Sequence, residues 1–223
     1  MKRGLAAILL CSNAAFASST LLIGDSHTVM TFGRTLAHKI HAQRYAVSAS
    51  QTSDWLPPKF CPDSETCGFI YGYSTPAGDY SEVVPPSFDG IDGILHRHNP
   101  KKVIVALGTN DANHHCEEKR FDLSGVRQLL RKLSRRECYW VGPPVYRVGE
   151  LYDKCGGNYK RFVDRLKIEV SKFCKCIDSR KINNPKTGQP IESDLDDKIH
   201  FSDELAKVWA RSVTRCVKGT NRI

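Results

Sequence analysis

The sequence lacks the features that mark collagen-like, disordered and membrane-spanning proteins. Its 16 glycines follow no period, which excludes a collagen-like chain, and 40% hydrophobic residues argue against intrinsic disorder. The apolar run Gly4–Leu10 is much shorter than the ~20 residues that span a bilayer. Two methionines and a modest aromatic content in the long loop of residues 54–89 give no sign of a large lipid-binding groove. For the remaining class, folded proteins, 223 residues suit one domain.

The N-terminus has the pattern of a secretory signal peptide. Lys2-Arg3 is positive, the apolar run follows it, and Ala15-Phe16-Ala17 is a small-x-small cleavage pattern. A buried first element or a membrane anchor is the alternative, but the apolar run is too short for an anchor. We therefore expect a signal peptide over residues 1–17, cut after Ala17, and a secreted or periplasmic single domain over residues 18–223 with no stable membrane insertion.

The nine cysteines become an even set when the signal peptide, which contains Cys11, is removed. An even number in an oxidising compartment predicts disulfides, up to four of them. Paired CxxC motifs of zinc sites are missing, and the spacing of Cys174-Lys175-Cys176 suits zinc poorly. The eight remaining cysteines allow about 105 pairings, so the connectivity stays open. They are Cys61, Cys67, Cys116, Cys138, Cys155, Cys174, Cys176 and Cys216.

Basic residues outnumber acidic ones by 33 to 24, a formal net charge of +9. Loss of Lys2-Arg3 leaves 31 basic residues and a net charge of +7. In an exported protein this favours an anionic partner such as an O-acetylated glycan or another surface polymer. Nucleic acid is the alternative, but the basic residues are spread along the chain, and a solvated helix face explains the densest group, residues 131–136. We therefore expect no nucleic-acid partner.

Strand-like and helix-like segments alternate along the mature chain. The predicted strands are Thr20–Ile23, Tyr45–Val47, Val103–Leu107, Tyr139–Val141 and Cys176–Ile177. The predicted helices are the segment with Val29, Phe32, Leu36 and Ile40 at helical spacing, then Leu123–Leu133, Tyr159–Phe173 and Asp203–Val217. This alternation predicts a parallel sheet with helices on both faces, and ligands beyond the carboxyl ends of its strands.

Residues 54–89 interrupt the alternation with six prolines. Loops of this length inside a domain are usually functional or disordered. The segment carries the aromatic residues Trp55, Tyr71 and Tyr73, which could line a substrate cleft. The alternative is that these rings pack the insertion onto the body of the protein.

Three polar motifs fall at one edge of the predicted sheet. Gly24-Asp25-Ser26-His27 follows the first strand, Gly108-Thr109-Asn110-Asp111 follows the third, and Asp197-Lys198-Ile199-His200 precedes the last helix. The Ser26 N–H lies at a helix start, where an anion is favoured. His200 is a candidate base for the Ser26 hydroxyl, and Asp197 can orient its other ring nitrogen. Asn110 can aim an amide N–H at the same point.

These motifs resemble the first, third and fifth sequence blocks of the SGNH hydrolases, the GDSL-type esterase and lipase superfamily, over nearly the whole mature chain. The resemblance implies a flavodoxin-like, three-layer α/β/α sandwich with a five-stranded parallel sheet. It also implies that Ser26 is the nucleophile, His200 the general base and acid, and Asp197 its orienting partner. The oxyanion hole would comprise the Ser26 backbone N–H, the Asn110 side chain and one further backbone N–H.

The chain departs from the family pattern at two places. The second block usually supplies a glycine, whereas residues 47–54 read VSASQTSD. We place Ser53 at the glycine position, because Asp54 then follows it as a polar residue often does in the family. His27 stands where many relatives have leucine, and we expect it to pack or cap the helix.

Several other polar residues have a plainer interpretation. Asp194 and Asp196 are rivals of Asp197, but the spacing to His200 favours Asp197. Asp111 is expected to cap the helix-like segment that follows it. His114-His115-Cys116 suggests a metal site, yet adjacent side chains diverge and no third ligand has motif spacing. We expect no metal and no cofactor.

The sequence thus predicts a secreted serine ester hydrolase that works through an acyl-enzyme. Its expected substrate is an acyl ester, with short acyl groups, acetyl in particular, removed from a glycan or cell-wall polymer. One alternative is a lipid acyl hydrolase of the lysophospholipase or thioesterase type. Another is a secreted binding module with a degenerate site.

Overall fold

The structure is a computed structural model, and it describes residues 19–56, 70–75, 78–83, 89–115, 120–146, 155 and 157–220. The predicted signal peptide over residues 1–17 lies outside these segments, as do Cys61, Cys67 and Cys116.

Within the described segments, seven strands form one sheet in the order β4-β3-β2-β1-β5-β6-β7. The strands are β1 (Thr20–Gly24), β2 (Gln43–Val47), β3 (Ile70–Thr75), β4 (Gly78–Val83), β5 (Lys102–Ala106), β6 (Glu137–Val141) and β7 (Lys175–Ile177). The helices are α1 (Ser26–Val29), α2 (Thr31–Ile40), α3 (Gly90–His98), α4 (Thr109–His115), α5 (Ser124–Leu133), α6 (Gly157–Val170) and α7 (Asp203–Val217). Short 3-10 helices cover Thr52–Trp55 and Ser179–Lys181.

The five predicted strands are present and parallel, but the prediction of a five-stranded, wholly parallel sheet is wrong. β3 and β4 extend the sheet beyond β2 as an antiparallel hairpin, with Tyr73 opposite both Tyr45 and Tyr80. Both strands come from the insertion, where prolines and glycines obscured the strand pattern. The insertion therefore contributes an edge of the sheet.

The sheet is covered on both faces, as a three-layer sandwich requires. Successive side chains of a strand point to opposite faces, so Leu21 and Ile23 enter one core and Leu22 the other. Helices α3, α5 and α6 cover the first face, and α2 and α7 cover the second. The Phe32 ring stacks on Trp209 at 3.8 Å between centroids, joining α2 to α7.

The bounds of α7 match the prediction because strong signals mark its start. The Ser202 hydroxyl accepts a hydrogen bond from Leu205 N, and Asp203 and Glu204 in the first turn favour the positive end of the helix dipole. Helix α3 was not predicted, because its apolar pattern is short. Its buried residues are Gly90, Ile91, Ile94 and Leu95.

The described cysteines include bonded and free side chains. Cys138 of β6 is bonded to Cys174, which precedes β7, and Cys155 is also disulfide-bonded. Cys176 carries a free thiol, so it contributes to none of the disulfides that the sequence analysis allowed. Of the helices that the described segments contain, none is both long enough and apolar enough to cross a membrane.

Candidate active site

The turn from β1 into α1 positions Ser26. Asp25 Oδ1 accepts a hydrogen bond from His27 N at 3.1 Å and caps the helix. A Cβ on Gly24 would lie 2.0 Å from Thr28 Oγ1 and 2.7 Å from the Ala106 carbonyl oxygen, so this close approach requires glycine. Ser26 is consequently held at the carboxyl end of β1 as the first residue of α1.

The structure brings Ser26, His200 and Asp197 together in one line of hydrogen bonds. His200 Nε2 lies 2.8 Å from Ser26 Oγ, and His200 Nδ1 lies 2.7 Å from Asp197 Oδ2. Asp197 Oδ1 accepts from the backbone N–H groups of Ile199 and His200 at 2.8 and 2.9 Å. Asp194 instead accepts from Ser202 N at 2.7 Å, so it supports the start of α7.

Asp197 is held as a carboxylate. Partial burial would raise its pKa, but the hydrogen bonds from the His200 ring and from two backbone N–H groups outweigh this and lower the pKa to about 2. A negative charge beside Nδ1 fixes the ring tautomer that presents Nε2 as an acceptor to the Ser26 hydroxyl.

His27 packs beneath His200, as predicted. Its Nε2 lies 3.0 Å from the Tyr146 hydroxyl, and its ring centroid is 5.0 Å from that of His200 and 5.4 Å from that of Trp209. Burial, and then the neighbouring His200, lower the pKa of His27 to about 3. His27 therefore stays neutral and serves as packing for the His200 ring.

Asn110 is the second residue of α4 and lies beside the loop that follows β2. Its Nδ2 donates to the Ser50 carbonyl oxygen at 3.0 Å, and the buried Ser50 hydroxyl accepts from Trp55 Nε1 at 3.2 Å. Ser53 packs against the start of α5, with its nitrogen 3.2 Å from the place a Cβ on Gly125 would occupy. Ser50 is therefore the loop residue tied to Asn110, and the role of Ser53 as an oxyanion donor stays a prediction.

Asp111 links the same loop to α4. The sequence analysis expected it to cap this helix, and it lies as the third residue of α4, in the first turn. Its carboxylate accepts from Thr52 N at 3.1 Å and from Thr52 Oγ1 at 3.0 Å. These bonds fasten the loop after β2 to the helix that starts with Thr109 and Asn110.

The three aromatic residues proposed for a substrate cleft have different places. Trp55 is fully buried in the core under α3 and α5, so the prediction that it lines a cleft is wrong. Tyr73 is half-buried against the same core and stacks on Tyr80 at 5.2 Å between centroids. Tyr71 lies in β3 opposite Val47. Trp55 instead packs onto the body of the protein, which was the alternative to a cleft. Its N–H donates to the buried Ser50 hydroxyl, and its rings lie in the core.

Asp25 and Asp111 carry buried carboxyl groups beneath the site, and the sequence analysis did not recognise them as a pair. Burial raises the pKa of Asp25 to about 7 and that of Asp111 to about 6, and the charge of Asp111 further raises the pKa of Asp25. Their motif positions after β1 and β5 were visible in the sequence, but their burial was not. In the described part of the chain, no three His, Cys, Asp or Glu side chains converge as a metal site requires.

The raised pKa of Asp25 predicts a pH-dependent stability. The folded protein keeps this proton up to about pH 7, whereas the unfolded chain loses it near 3.8, so the free energy of unfolding should fall as pH rises between these values. A shift of this size corresponds to about 4 kcal/mol. Asp25→Asn keeps an acceptor for His27 N but cannot ionise, so urea unfolding from pH 4 to 8 should show a flatter profile.

The matched control is Asp92→Asn, since Asp92 is an exposed carboxylate paired with Lys132 on the surface. It should keep the slope of the parent protein. Equal slopes for Asp25→Asn and the parent protein would contradict the buried, protonated state of Asp25.

A profile of the GDSL-like lipase/acylhydrolase family matches residues 22–208, which is most of the chain and includes all three motifs. The chain belongs to this family. It is a member of the SGNH hydrolase superfamily and a carboxylic ester hydrolase. A sequence search against curated proteins found no significant match.

Solved structures of esterases share the fold of this family member. The native aryl esterase of M. smegmatis superimposes with a TM-score of 0.55 at 16% identity, covering 90% of this chain and 98% of that chain. A carbohydrate acetylesterase from Sinorhizobium meliloti gives a TM-score of 0.56 at 15% identity, covering 92% of this chain and 100% of that chain. At such identities the likeness shows the fold alone.

Proposed function

We propose that this family member is a secreted serine esterase that uses Ser26, His200 and Asp197 as a triad. The supporting observation is the line of hydrogen bonds from Ser26 Oγ through both ring nitrogens of His200 to Asp197. As Ser26 Oγ attacks an ester carbonyl carbon, His200 Nε2 takes its proton and then passes it to the leaving alcohol. Water activated by His200 next hydrolyses the acyl-enzyme and frees Ser26.

The tetrahedral intermediates need donors for their oxyanion. We assign this role to the Ser26 N–H, the Asn110 amide and one backbone N–H from the loop after β2, for which Ser53 is our sequence-based choice. The second N–H of the Asn110 amide remains for the oxyanion when the first donates to Ser50. The bonds between Asp111 and Thr52 keep this loop in place, which preorganises the donors before substrate binds.

The proposed substrate is a short acyl ester, acetyl in particular, on a glycan or cell-wall polymer. The burial of Trp55 takes its ring away from any acyl groove, and two methionines in the chain offer little adaptable apolar surface. The S. meliloti neighbour is a carbohydrate acetylesterase by its own description, which is compatible with this choice. We also propose that the protein is exported after cleavage behind Ala17. Identifying the N-terminal residue of the exported protein tests this cleavage site.

The deciding experiment combines labelling with a chain-length series. A serine-reactive fluorophosphonate should label Ser26 in the native protein and fail to label Ser26→Ala. The specificity constant kcat/KM should be highest for p-nitrophenyl acetate and fall about 10-fold or more for the octanoyl ester, because a short pocket excludes the longer chain. A palmitoyl preference would favour the lipid hydrolase, and absent labelling would favour the degenerate binding module.

A further inference from the structure

A surface groove of about 630 Å³ lies between α6 and the segment before α5. It is lined by Arg120, Phe121, Arg161, Asp164 and Arg165. The Arg161 guanidinium lies 5.9 Å from the centroid of the Phe121 ring, and that ring packs edge-on against Phe162. The groove thus combines three guanidinium groups with one half-buried aromatic ring.

The arginines of this groove are not neutralised within the described residues. Arg120 and Arg165 have no hydrogen-bond or ion-pair partner there, and Arg161 donates only to the neutral Asn158 side chain at 3.0 Å. The Asp164 carboxylate is taken by Lys160 at 2.8 Å and by Arg180 at 2.7 Å. Among the described residues, the positive charge of these three arginines is therefore left without a carboxylate partner.

The groove opens at the same edge of the sheet as Ser26. Helix α6 starts at this edge, because it returns the chain from the carboxyl end of β6 to the start of the parallel strand β7. Tyr159 in the first turn of α6 packs on Tyr146 at 5.3 Å between centroids, and the Tyr146 hydroxyl contacts His27 beneath His200. Arg161 and Arg165 lie about 3 and 9 Å further along the helix axis than Tyr159, at a rise of 1.5 Å per residue, and they are on its exposed face.

We propose that this groove, formed by Arg120, Phe121, Arg161 and Arg165, binds an anionic segment of a carbohydrate chain whose neighbouring sugar carries the ester. The guanidinium groups would bind sugar carboxylates through paired hydrogen bonds, and Phe121 would contact an apolar sugar face. The proposal rests on the proposed function, since it names the charge of the substrate at the same site. Nucleic acid is disfavoured by the ester chemistry of the family, because nucleotides carry no carboxylic ester.

Direct binding separates this proposal from the esterase mechanism. Unacetylated polygalacturonate has no ester to hydrolyse, so its affinity for the full-length protein is independent of Ser26 chemistry. We expect Arg161→Gln with Arg165→Gln to weaken this affinity about 10-fold or more, since two charge-assisted contacts are lost. A neutral galactan and a single-stranded DNA oligonucleotide serve as comparison probes, and both should bind more weakly than polygalacturonate.

The matched control is Arg131→Gln with Arg135→Gln, which removes the same net charge. Both residues are exposed, Arg131 in the last turn of α5 and Arg135 just after this helix. This control should weaken polygalacturonate binding less than 3-fold, because only the long-range field changes. On chemically acetylated polygalacturonate, the groove variant should also lower kcat/KM about 10-fold relative to its kcat/KM for p-nitrophenyl acetate.

Three outcomes would overturn the proposal. Equal binding of polygalacturonate by the two double variants would leave only a general charge effect. The neutral galactan could bind as tightly as polygalacturonate, which would remove the role of the guanidinium groups. Tighter binding of the oligonucleotide would assign the groove to nucleic acid. None of these results depends on whether Ser26 is the nucleophile.

Discussion

Replacing Ser26 by alanine is expected to lower kcat/KM for p-nitrophenyl acetate by about 10⁶-fold, the order seen when a triad loses its nucleophile. The Oγ atom 2.8 Å from His200 Nε2 is the atom that forms the acyl-enzyme, so its removal eliminates the covalent path. His200→Ala should have an effect of the same order, because no base then takes the hydroxyl proton. Steady-state kinetics with an active-site titration of the parent enzyme would measure both losses.

The three residues should also behave as one unit. Combining Ser26→Ala with His200→Ala is expected to lower kcat/KM no further than either change alone, and Asp197→Asn should cost about 10⁴-fold. Ser171→Ala is the control for the serine-to-alanine change, since Ser171 is exposed at the end of α6. Losses of Ser26→Ala and His200→Ala that multiply in the double variant would contradict a single catalytic unit.

The parallel part of the sheet was predictable because its strands carry continuous apolar runs. Strands β1 and β5 are buried on both faces. The predicted bounds of β1 differ from the observed ones by one residue at one end, and those of β5 differ by one residue at each end. Once such strands are parallel, their carboxyl ends share an edge. That geometric rule is why residues as distant as Ser26 and His200 could be placed together from sequence.

The parts that were missed depend on contacts between distant segments. The hairpin of β3 and β4 pairs with β2 across a proline-rich insertion, and no local pattern announces that pairing. Trp55 looked like a loop residue because it begins a proline-rich segment, whereas its burial depends on α3 and α5. Ser50 was overlooked because its link to Asn110 uses a backbone carbonyl, which every residue has.

Arg44 supports the helix that carries Ser26, and the sequence analysis did not find it. It lies on β2 and is fully buried, a rare place for a guanidinium. Its Nη1 donates to the carbonyl oxygens of Thr28 and Val29, both at 2.9 Å, at the end of the helix that starts with Ser26. Its Nε donates to Ser74 Oγ at 2.9 Å, so one side chain joins α1 to the hairpin.

Arg44→Met is therefore expected to destabilise the protein by about 3 to 5 kcal/mol. Methionine fills part of the volume but donates no hydrogen bond, which leaves buried carbonyl oxygens of α1 and β3 without this donor at about 1–3 kcal/mol each. Since α1 also carries Ser26, we expect kcat for p-nitrophenyl acetate to fall about 10-fold in the fraction that stays folded. Urea unfolding and kinetics on the same samples give both values.

The control for this change is Asp79→Asn, which removes only the charged partner 3.4 Å from Arg44 Nη2. The Asp79 side chain is 42% exposed, so water screens the pair and the loss should stay below about 1 kcal/mol. A small effect of Asp79→Asn beside a large effect of Arg44→Met would place the stabilisation in the carbonyl contacts with α1. Equal effects would instead assign the stabilisation to the ion pair between Arg44 and Asp79 and would contradict the role of the carbonyl contacts.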